Sequence, residues 1–291
     1  MESRKQLRKM LKEDGIIKAP GAYDAWSAKL VEAAGYSCVY MTGYGVSASV
    51  LGKPDIGLIT LPEMATMAKH MVEAVHIPVV ADADTGYGST LNVVRTVQEY
   101  EAAGVAAIQL EDQVMPKRCG HMEGKELVTE EEMVAKLRAA VKARQDPDLV
   151  IIARTDARAV LGIEAAIERS RAYIAAGADV IFFEAPQSRE EMELINRELK
   201  VPMLANMVDN GKTPFLAAEE LRAMGYKLVI YPVVPLYAAT KACLDILREL
   251  DQRGSTSGLQ DRLVDFPTFN RMIGLQEFRA LERSFNQPEN C

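Results

Sequence analysis

The sequence predicts an α/β protein folded as a (β/α)8 barrel. Three observations predict it: short apolar runs alternate with amphipathic helical segments, the alternation repeats eight times, and the chain has 291 residues, an ordinary length for one such barrel. The apolar runs are nearly continuous, as expected for parallel strands that are covered on both faces. An open doubly wound sheet is the alternative, but no GxGxxG motif follows the first strand.

The first half of the chain begins with a charged segment of helical pattern at residues 1–13. The following helix stops at Gly35, a residue suited to the left-handed position after a helix. Pro62 fits the first turn of a later helix. We predict strands at 16–19, 37–41, 78–81 and 106–110, and helices at 24–34, 62–74, 89–103 and 129–144.

The second half keeps the same rhythm. Gly177 and Gly225 end two of its helices, and Pro214 begins one. We predict strands at 149–153, 179–183, 202–205 and 227–231, and helices at 163–176, 188–199, 214–224 and 235–250.

The chain is predicted to hold one catalytic barrel domain, residues 1–250, and a C-terminal helical extension, residues 251–291, that is not an independent domain. Residues 252–258, rich in Gly and Ser, are typical of a flexible joint. We expect the extension to dock on a neighbouring subunit through its apolar side chains. These include Phe266, Phe269, Met272 and Phe278.

Composition excludes several classes of partner. The net charge of −7 argues against nucleic acid, because neutralising phosphates needs clustered Lys and Arg. No apolar run approaches the ~20 residues that a membrane-spanning helix needs, and the N-terminus lacks the apolar core of a secretory signal. The four Cys form no CxxC pair, so we expect no disulfide, a cytoplasmic location, and burial of Cys38 and Cys243 as small hydrophobic residues.

Charged or amide side chains close most of the predicted strands. In a barrel the carboxyl ends of the strands surround one mouth, where such barrels carry out chemistry. Each of these residues taken singly could instead stabilise a loop, but six of them at successive strand ends favour a functional site. They are Asp82, Asp84, Glu111, Arg154, Glu184 and Asn206.

Three of these carboxylates, Asp82, Asp84 and Glu111, suit a hard divalent cation, and oxygen ligands with retained water are typical of Mg²⁺. Mn²⁺ remains the alternative ion. Zinc is disfavoured because only His121 lies near the site. The alternative without metal is mutual repulsion that Lys and Arg relieve. Arg154 suits the carboxylate of a small substrate, through its bidentate fork, or a salt bridge.

Residues 116–121, Pro-Lys-Arg-Cys-Gly-His, place a thiol between cations. Lys117 and Arg118 would lower the pKa of the Cys119 thiol, which could then move protons near neutral pH. Gly120 allows the backbone to bend. A basic surface turn is the alternative. Together with a metal and a carboxylate clamp, such a thiol favours a reaction through an enolate-like intermediate.

Several short motifs give the chain a resemblance to the isocitrate lyase and phosphoenolpyruvate mutase superfamily, over roughly residues 15 to 250. The central match is residues 117–121, Lys-Arg-Cys-Gly-His. The others are Tyr40-Met41-Thr42-Gly43, Asp82-Ala83-Asp84-Thr85-Gly86, Glu111-Asp112-Gln113, Ala153-Arg154-Thr155-Asp156, Glu184-Ala185 and Ala205-Asn206-Met207.

The resemblance implies Mg²⁺ at the barrel mouth and a mobile loop that carries Cys119. It implies that Asp84 binds the metal directly, with Asp82 and Glu111 acting mostly through water. It further implies a homotetramer that exchanges C-terminal helices. The residues implied to contact a small di- or tricarboxylate substrate are Thr42, Gly43, Tyr44, Gly120, Arg154, Glu184 and Asn206.

Within the superfamily, the Cys-containing loop resembles that of the carbon–carbon lyases, whereas the mutase branch usually has Asn. Methylisocitrate lyases tend to have an Arg after the last strand, where Tyr237 stands here. An apolar pocket wall would suit alkyl groups in place of a third carboxylate. The chain therefore resembles the 2,3-dimethylmalate lyase branch.

We expect a Mg²⁺-dependent lyase that cleaves a 2-alkylmalate, best 2,3-dimethylmalate, to pyruvate and propionate. Tyr40 and Asp55 are the candidate bases. Cys119 would protonate the product carbon, with Lys117, Arg118 and His121 as further catalytic residues. The alternatives are methylisocitrate lyase, oxaloacetate hydrolase or decarboxylase, carboxyphosphonoenolpyruvate mutase, and a metal-binding scaffold without activity.

Overall fold

Eight parallel strands close into a barrel in a computed structural model that describes residues 2–120, 122–209 and 211–286. Each strand pairs with its neighbours in chain order, and the last pairs with the first, from Ile17 opposite Leu228 to Pro20 opposite Tyr231. The predicted fold class is confirmed. The strands are β1 Ile17–Ala22, β2 Val39–Met41, β3 Val79–Asp82, β4 Ala107–Glu111, β5 Val150–Thr155, β6 Val180–Phe183, β7 Met203–Asn206 and β8 Leu228–Tyr231.

Helices follow the strands and cover the outside of the sheet. Several begin after a residue whose side chain caps the first turn: Asp24, for example, accepts a hydrogen bond from the backbone of Ser27 at 2.6 Å. The α-helices are α1 Glu2–Lys12, α2 Ala25–Ala33, α3 Gly43–Val46, α4 Leu61–Ala74, α5 Thr90–Ala103, α6 Glu130–Ala143, α7 Ala157–Leu161, α8 Ile163–Ala175, α9 Arg189–Glu198, α10 Ala218–Met224, α11 Val234–Arg253, α12 Phe266–Met272 and α13 Leu275–Asn286.

The short helix α7 was not predicted, and two further features differ from the predicted elements. The segment after β2 forms α3 and then a π-helical turn, Ser47–Leu51, where the sequence predicted a glycine-rich loop. Helix α10 begins at Ala218, four residues later than predicted, because the carboxylate of Glu220 accepts the backbone N–H of Ala217 at 3.1 Å and caps the helix there.

The barrel interior is closed at its N-terminal end by α1. Leu7 and Leu11 of this helix are buried in the same apolar cluster as Ile17, Cys38 and Phe182. The guanidinium of Arg8 holds the helix in place, since it donates to both carboxylate oxygens of Asp179 at 2.7 and 2.9 Å. The predicted burial of Cys38 is confirmed.

The chain divides into two compact units, one through Tyr237 and one from Ala238 onward. Many apolar side chains of the second unit are exposed, among them Leu247, Phe266 and Phe278. The predicted burial of Cys243 is wrong: no side chain of α11 is buried in the single chain, and Cys243 is exposed. Within the described residues, no helix is long and apolar enough to cross a membrane.

Candidate active site

A cavity of about 230 Å³ lies at the carboxyl ends of the strands. It brings together most of the predicted site residues from across the sequence, which confirms that the strand ends share one mouth. The lining residues include Tyr40, Thr42, Tyr44, Asp55, Asp82, Lys117, Arg118, Cys119, Gly120, Arg154, Glu184, Asn206 and Tyr237. Asp84 and Glu111, which are fully buried, lie beside this set through their contacts with Lys117 and Arg154.

Asp82, the last residue of β3, is held by hydrogen bonds on both carboxylate oxygens. Its Oδ1 accepts from the backbone of Asp84 at 3.0 Å and from the Gln109 amide at 3.2 Å. Its Oδ2 accepts from the backbone of Gly43 at 3.2 Å. The carboxylate therefore joins β3 to β4 and to the first turn of α3.

Asp84 has a backbone in the left-handed region, with φ of 47°, and its side chain is fully buried. The ammonium of Lys117 lies 2.8 Å from Asp84 Oδ1 and 2.6 Å from Asp55 Oδ1. Burial raises the pKa of Asp84 to about 6, although Lys117 opposes the shift. Burial alone would lower the pKa of Lys117, but the surrounding carboxylates outweigh it and raise that pKa well above its usual value.

Glu111, the last residue of β4, meets Arg154 from β5. The Arg154 Nε lies 3.4 Å from Glu111 Oε2. Burial raises the pKa of Glu111 well above its ordinary value, and Arg154 offsets this only in part. The guanidinium of Arg154 also stacks 4.9 Å above the ring of Phe182, which fixes its plane.

The acidic side chains have oxygens that fit a hard cation. Among the described residues, Asp84 Oδ2 and Glu111 Oε1 are buried without a hydrogen-bond donor. Such oxygens are costly unless a donor, water or cation binds them. Within residues 2–120, 122–209 and 211–286, no three His, Cys, Asp or Glu side chains converge closely enough to hold an ion by themselves. An ion with few direct protein ligands and several waters, as Mg²⁺ prefers, fits this arrangement.

The segment that carries Cys119 connects β4 to α6. Its backbone is fixed at Arg118, whose N–H donates to the Gln113 side chain at 2.9 Å and whose carbonyl accepts from the same side chain at 2.8 Å. The Arg118 guanidinium donates to the carbonyl of Glu123 at 2.9 Å. The thiol of Cys119 is partly exposed. His121, predicted as a catalytic residue, lies outside the described residues.

Gly120 is required by close packing. A Cβ at this position would lie 2.5 Å from Glu184 Oε1 and closer still to the guanidinium of Arg154. Any larger residue would therefore push the Cys119 segment away from these side chains. The Asn206 amide donates to Glu184 Oε2 at 3.2 Å. Glu184 therefore lies between Gly120 and Asn206, and all three are predicted substrate residues.

Tyr44 and Tyr237 form an edge-to-face pair at the mouth, with ring centroids 6.5 Å apart. Burial, followed by the hydrogen bond with Tyr44, raises the pKa of Tyr237 to about 12. Thr42 accepts from the backbone of Gly45 and so begins α3. Tyr237 lines the cavity.

Sequence reasoning missed three polar residues of the site. Gln109 accepts from the Tyr40 hydroxyl at 2.9 Å and donates to Asp82. Asp156 binds Arg154, and Lys125 binds Asp156. Asp156 follows Arg154 by two residues at a strand end, a signal that could have marked it, whereas nothing in the local pattern marks Lys125.

The family model described as phosphoenolpyruvate phosphomutase matches residues 7–251 of this chain. That match spans the whole barrel and includes every predicted site residue. The chain belongs to the isocitrate lyase and phosphoenolpyruvate mutase superfamily. The resemblance inferred from the motifs is thereby confirmed, as is the assignment to a superfamily of enzymes.

Two curated relatives are similar over nearly their full lengths. The 2,3-dimethylmalate lyase of Eubacterium barkeri is 51% identical over 285 residues, covering 98% of this chain and 99% of the relative. The 2-methylisocitrate lyase of Aeropyrum pernix is 46% identical over 272 residues, covering 94% of this chain and 87% of the relative.

Solved structures of the superfamily share the fold. An oxaloacetate acetylhydrolase in complex with 3,3-difluorooxalacetate superposes with a TM-score of 0.93 at 37% identity, covering 99% of this chain and 98% of the other. A phosphonopyruvate hydrolase in complex with oxalate and Mg²⁺ superposes with a TM-score of 0.89 at 31% identity, covering 99% of this chain and 100% of the other.

Proposed function

We propose that this protein is a lyase that cleaves a 2-alkylmalate, with 2,3-dimethylmalate as the best substrate and pyruvate and propionate as the products. The observation that carries the proposal is the apolar part of the cavity wall, which β8 and the residues after it form. It consists of Ile230, Pro232 and Val233 with Tyr237, and residues 230–237 contain no cation that could bind a third carboxylate. Among the described residues, the cations that line the cavity are Lys117, Arg118 and Arg154. The 51% identity to a 2,3-dimethylmalate lyase supports the same substrate class.

Mg²⁺ is the proposed cofactor. Asp84 would hold it directly, and Asp82 and Glu111 would act through water. The buried oxygens of Asp84 and Glu111 that lack donors support this role, as does the Mg²⁺ of the superposed phosphonopyruvate hydrolase. When bound, Mg²⁺ supplies positive charge beside the reacting oxygens. Asp84→Asn should lose Mg²⁺ binding by calorimetric titration, whereas the exposed Asp261→Asn should bind like the wild type.

Arg154 is proposed to bind a substrate carboxylate. Its Nε and Nη2 donate to Asp156, and its side chain lines the cavity, where the remaining N–H donors are available to a carboxylate. Residues 42–44 are proposed to bind the same carboxylate, and Thr42 and Tyr44 line the cavity. The Asn206 Oδ1, for which no donor exists among the described residues, is available to a substrate group.

The proton transfers are assigned to Asp55 and Cys119. Burial and the carboxylate of Asp82 raise the pKa of Tyr40 well above its usual value, so this phenol keeps its proton and serves as a donor. Of the two candidate bases, Asp55 is therefore favoured, and it would take the C2 hydroxyl proton. The C2–C3 bond then breaks, and its electron pair forms the enediolate of propionate. The Cys119 thiol returns one proton to that carbon, with Lys117, Arg118 and His121 supporting it.

A panel of substrates tests the proposal. Release of pyruvate from 2,3-dimethylmalate, other 2-alkylmalates, 2-methylisocitrate and oxaloacetate would be followed with a coupled dehydrogenase. We expect 2,3-dimethylmalate to give the highest kcat/KM. Faster cleavage of 2-methylisocitrate, or release of oxalate from oxaloacetate, would assign the chain to the activities named for its other relatives. Carboxyphosphonoenolpyruvate would be tested as a separate substrate, and a rearranged carbon–phosphorus product seen by phosphorus NMR would indicate a mutase.

A substitution at Tyr237 tests the same selectivity inside the cavity. Tyr237→Arg adds a cation beside the apolar wall, and a bidentate Arg–carboxylate contact is the kind that recognises a third carboxylate. The ratio of kcat/KM for 2-methylisocitrate to that for 2,3-dimethylmalate should rise by about tenfold or more. Tyr237→Phe is the matched control, and we expect this ratio to stay close to that of the wild type.

A homotetramer is the proposed assembly. Many leucines and phenylalanines of the second unit are exposed in the single chain, which supports association through these side chains. Exchange of the C-terminal helices between subunits would bury these side chains.

A further inference from the structure

Lys125 is a buried cation with two partners, and both lie next to the proposed catalytic residues. Its side chain is 2% exposed, and its Nζ lies 2.9 Å from Asp156 Oδ1. The same ammonium donates to the carbonyl oxygen of Gly120. We call this pair of contacts the Lys125 bridge. It joins the segment that carries Cys119 to the end of β5.

Asp156 links the Lys125 bridge to Arg154. Its Oδ2 accepts from Arg154 Nε at 2.9 Å, and its Oδ1 accepts from Arg154 Nη2 at 3.2 Å. One carboxylate therefore holds the ammonium that binds the Gly120 carbonyl and the guanidinium that is proposed to bind substrate. A displacement of this carboxylate would move both groups together.

Asp112, which is fully buried, holds the backbone of Asp156 in place. The Asp156 N–H donates to Asp112 Oδ1 at 2.9 Å. Asp112 Oδ2 accepts from the Thr155 hydroxyl at 2.7 Å and from the Tyr173 hydroxyl at 2.8 Å. These bonds anchor the bridge to β5 and α8, which are rigid parts of the barrel.

Burial of the Lys125 ammonium is costly unless both its charge and its donors are satisfied. A methionine of similar length would fill the same space without that cost. We therefore expect the ammonium to hold a neighbouring group in position, which an apolar side chain of the same size could not do. Its hydrogen bond to the Gly120 carbonyl does this, because Gly120 follows Cys119 directly and packs against Arg154 and Glu184.

We propose that Lys125 is a positioning residue, which ties the Gly120 carbonyl to Asp156 and so places the Cys119 thiol beside Arg154. This inference rests on the proposed function, in which Cys119 protonates the product carbon. The exposed pair between Lys212 and Glu123 connects the same segment to the barrel, but exposed ion pairs contribute little. The buried bridge therefore holds the Gly120 side of Cys119, as the hydrogen bonds between Gln113 and Arg118 hold the other side.

The accessibility of Cys119 tests the proposal without depending on turnover. The rate of iodoacetamide alkylation at Cys119 would be followed by peptide mass spectrometry in the wild type, Lys125→Met and Lys125→Arg. We expect alkylation about tenfold faster or more in Lys125→Met, since a hydrogen bond to a charged group is lost. Lys125→Arg keeps the charge and should restore most of the wild-type rate. Glu123→Gln is the matched control on the same segment and should be unchanged.

Kinetics supply the second readout. With 2,3-dimethylmalate, Lys125→Met should lower kcat by about tenfold or more and change KM by less than about threefold, because Arg154 keeps its own bonds to Asp156. An unchanged alkylation rate in folded Lys125→Met would overturn the proposal. If that variant fails to fold, Lys125→Gln replaces it. Failure of both to fold would make Lys125 a residue of stability alone and would equally overturn the proposal.

The two proposals fail in different ways. If the wild type does not cleave 2-alkylmalates but Lys125→Met exposes Cys119, the substrate assignment is wrong and the positioning role stands. If the wild type cleaves them and Lys125→Met alkylates Cys119 at the normal rate, the substrate assignment stands and the positioning role is wrong.

Discussion

At the barrel mouth, buried side chains of opposite charge are in direct contact. Lys117 is shared by Asp55 and Asp84, and Arg154 by Glu111 and Asp156. Buried ion pairs contribute little net stability, and removal of one partner is strongly destabilising. The pairs are therefore better explained by the position and protonation that they impose on each group than by stability.

Cys119→Ser tests the proposed proton donor. A hydroxyl is a far weaker acid than a thiol, so kcat should fall by about 10² to 10⁴. The melting temperature and the Mg²⁺ affinity should match those of the wild type. Cys243→Ser, at an exposed position in α11, is the control and should keep full activity. A kcat in Cys119→Ser within a few-fold of the wild type would remove Cys119 from the mechanism.

Asp156 gives a stability prediction that depends on pH. Burial raises its pKa, but Arg154 and Lys125 outweigh burial and lower the pKa from 3.8 to about 2. Because the folded pKa is below the unfolded value, the stabilisation is present above about pH 4 and is lost as the pH falls toward about 2. Asp156→Asn should lower the free energy of unfolding by about 3 kcal/mol at neutral pH.

Urea unfolding at about pH 7, 5 and 3 would measure this difference. We expect the wild type and Asp156→Asn to differ equally at the two higher pH values and by about half as much at the lowest. Asp261→Asn, an exposed carboxylate, should follow the wild type throughout. A difference that grows as the pH falls would contradict the assigned direction of the pKa shift.

At the scale of elements, the register of the parallel strands determines which side chains meet in the site. Their register places Glu111 opposite Arg154 and Asp82 opposite Gln109, so neighbouring strands deliver side chains that touch. The π-helical turn and α3 follow β2 directly and bring Thr42 and Tyr44 to the same mouth. The local pattern did not reveal these two short helices, because glycines favour loops unless tertiary contacts hold them.

Helix α1 is predicted to stabilise the barrel without affecting its chemistry. Leu7 is 1% exposed and lies in the interior cluster at the end opposite the cavity. Leu7→Ala should cost about 2 to 5 kcal/mol of unfolding free energy, because it leaves a cavity in a packed core. Denaturant unfolding measures the cost, and kcat per folded molecule should be unchanged. The exposed Lys9→Ala should change the unfolding free energy by less than about 0.5 kcal/mol.

At the scale of the whole molecule, the second unit leaves many large apolar side chains exposed in the single chain. Leu247, Phe266 and Phe278 are 58%, 81% and 70% exposed. We expect light scattering to give a mass about four times that of the 32.0 kDa chain. A chain that ends at residue 250 lacks α12 and α13 and should give a smaller assembly. A monomeric full-length chain at micromolar concentration would contradict the proposed tetramer.

The sequence by itself determined the barrel, its eight strands and most of the residues that line its mouth. It could do so because the strands are continuous apolar runs, and the polar residues that end most of these runs are visible without knowledge of the fold. The motifs around Cys119 also sufficed for the superfamily, which the match over residues 7–251 confirms.

Only the tertiary structure decided which charges meet. Lys125 and Asp156 are 31 residues apart and Tyr40 and Gln109 are 69 residues apart, so no local pattern could pair them. Nor could it show that Lys117 lies between two carboxylates or that Gly120 packs against Arg154 and Glu184. Such contacts depend on how strands and loops distant in the chain are brought together, and short-range periodicity carries no information about that.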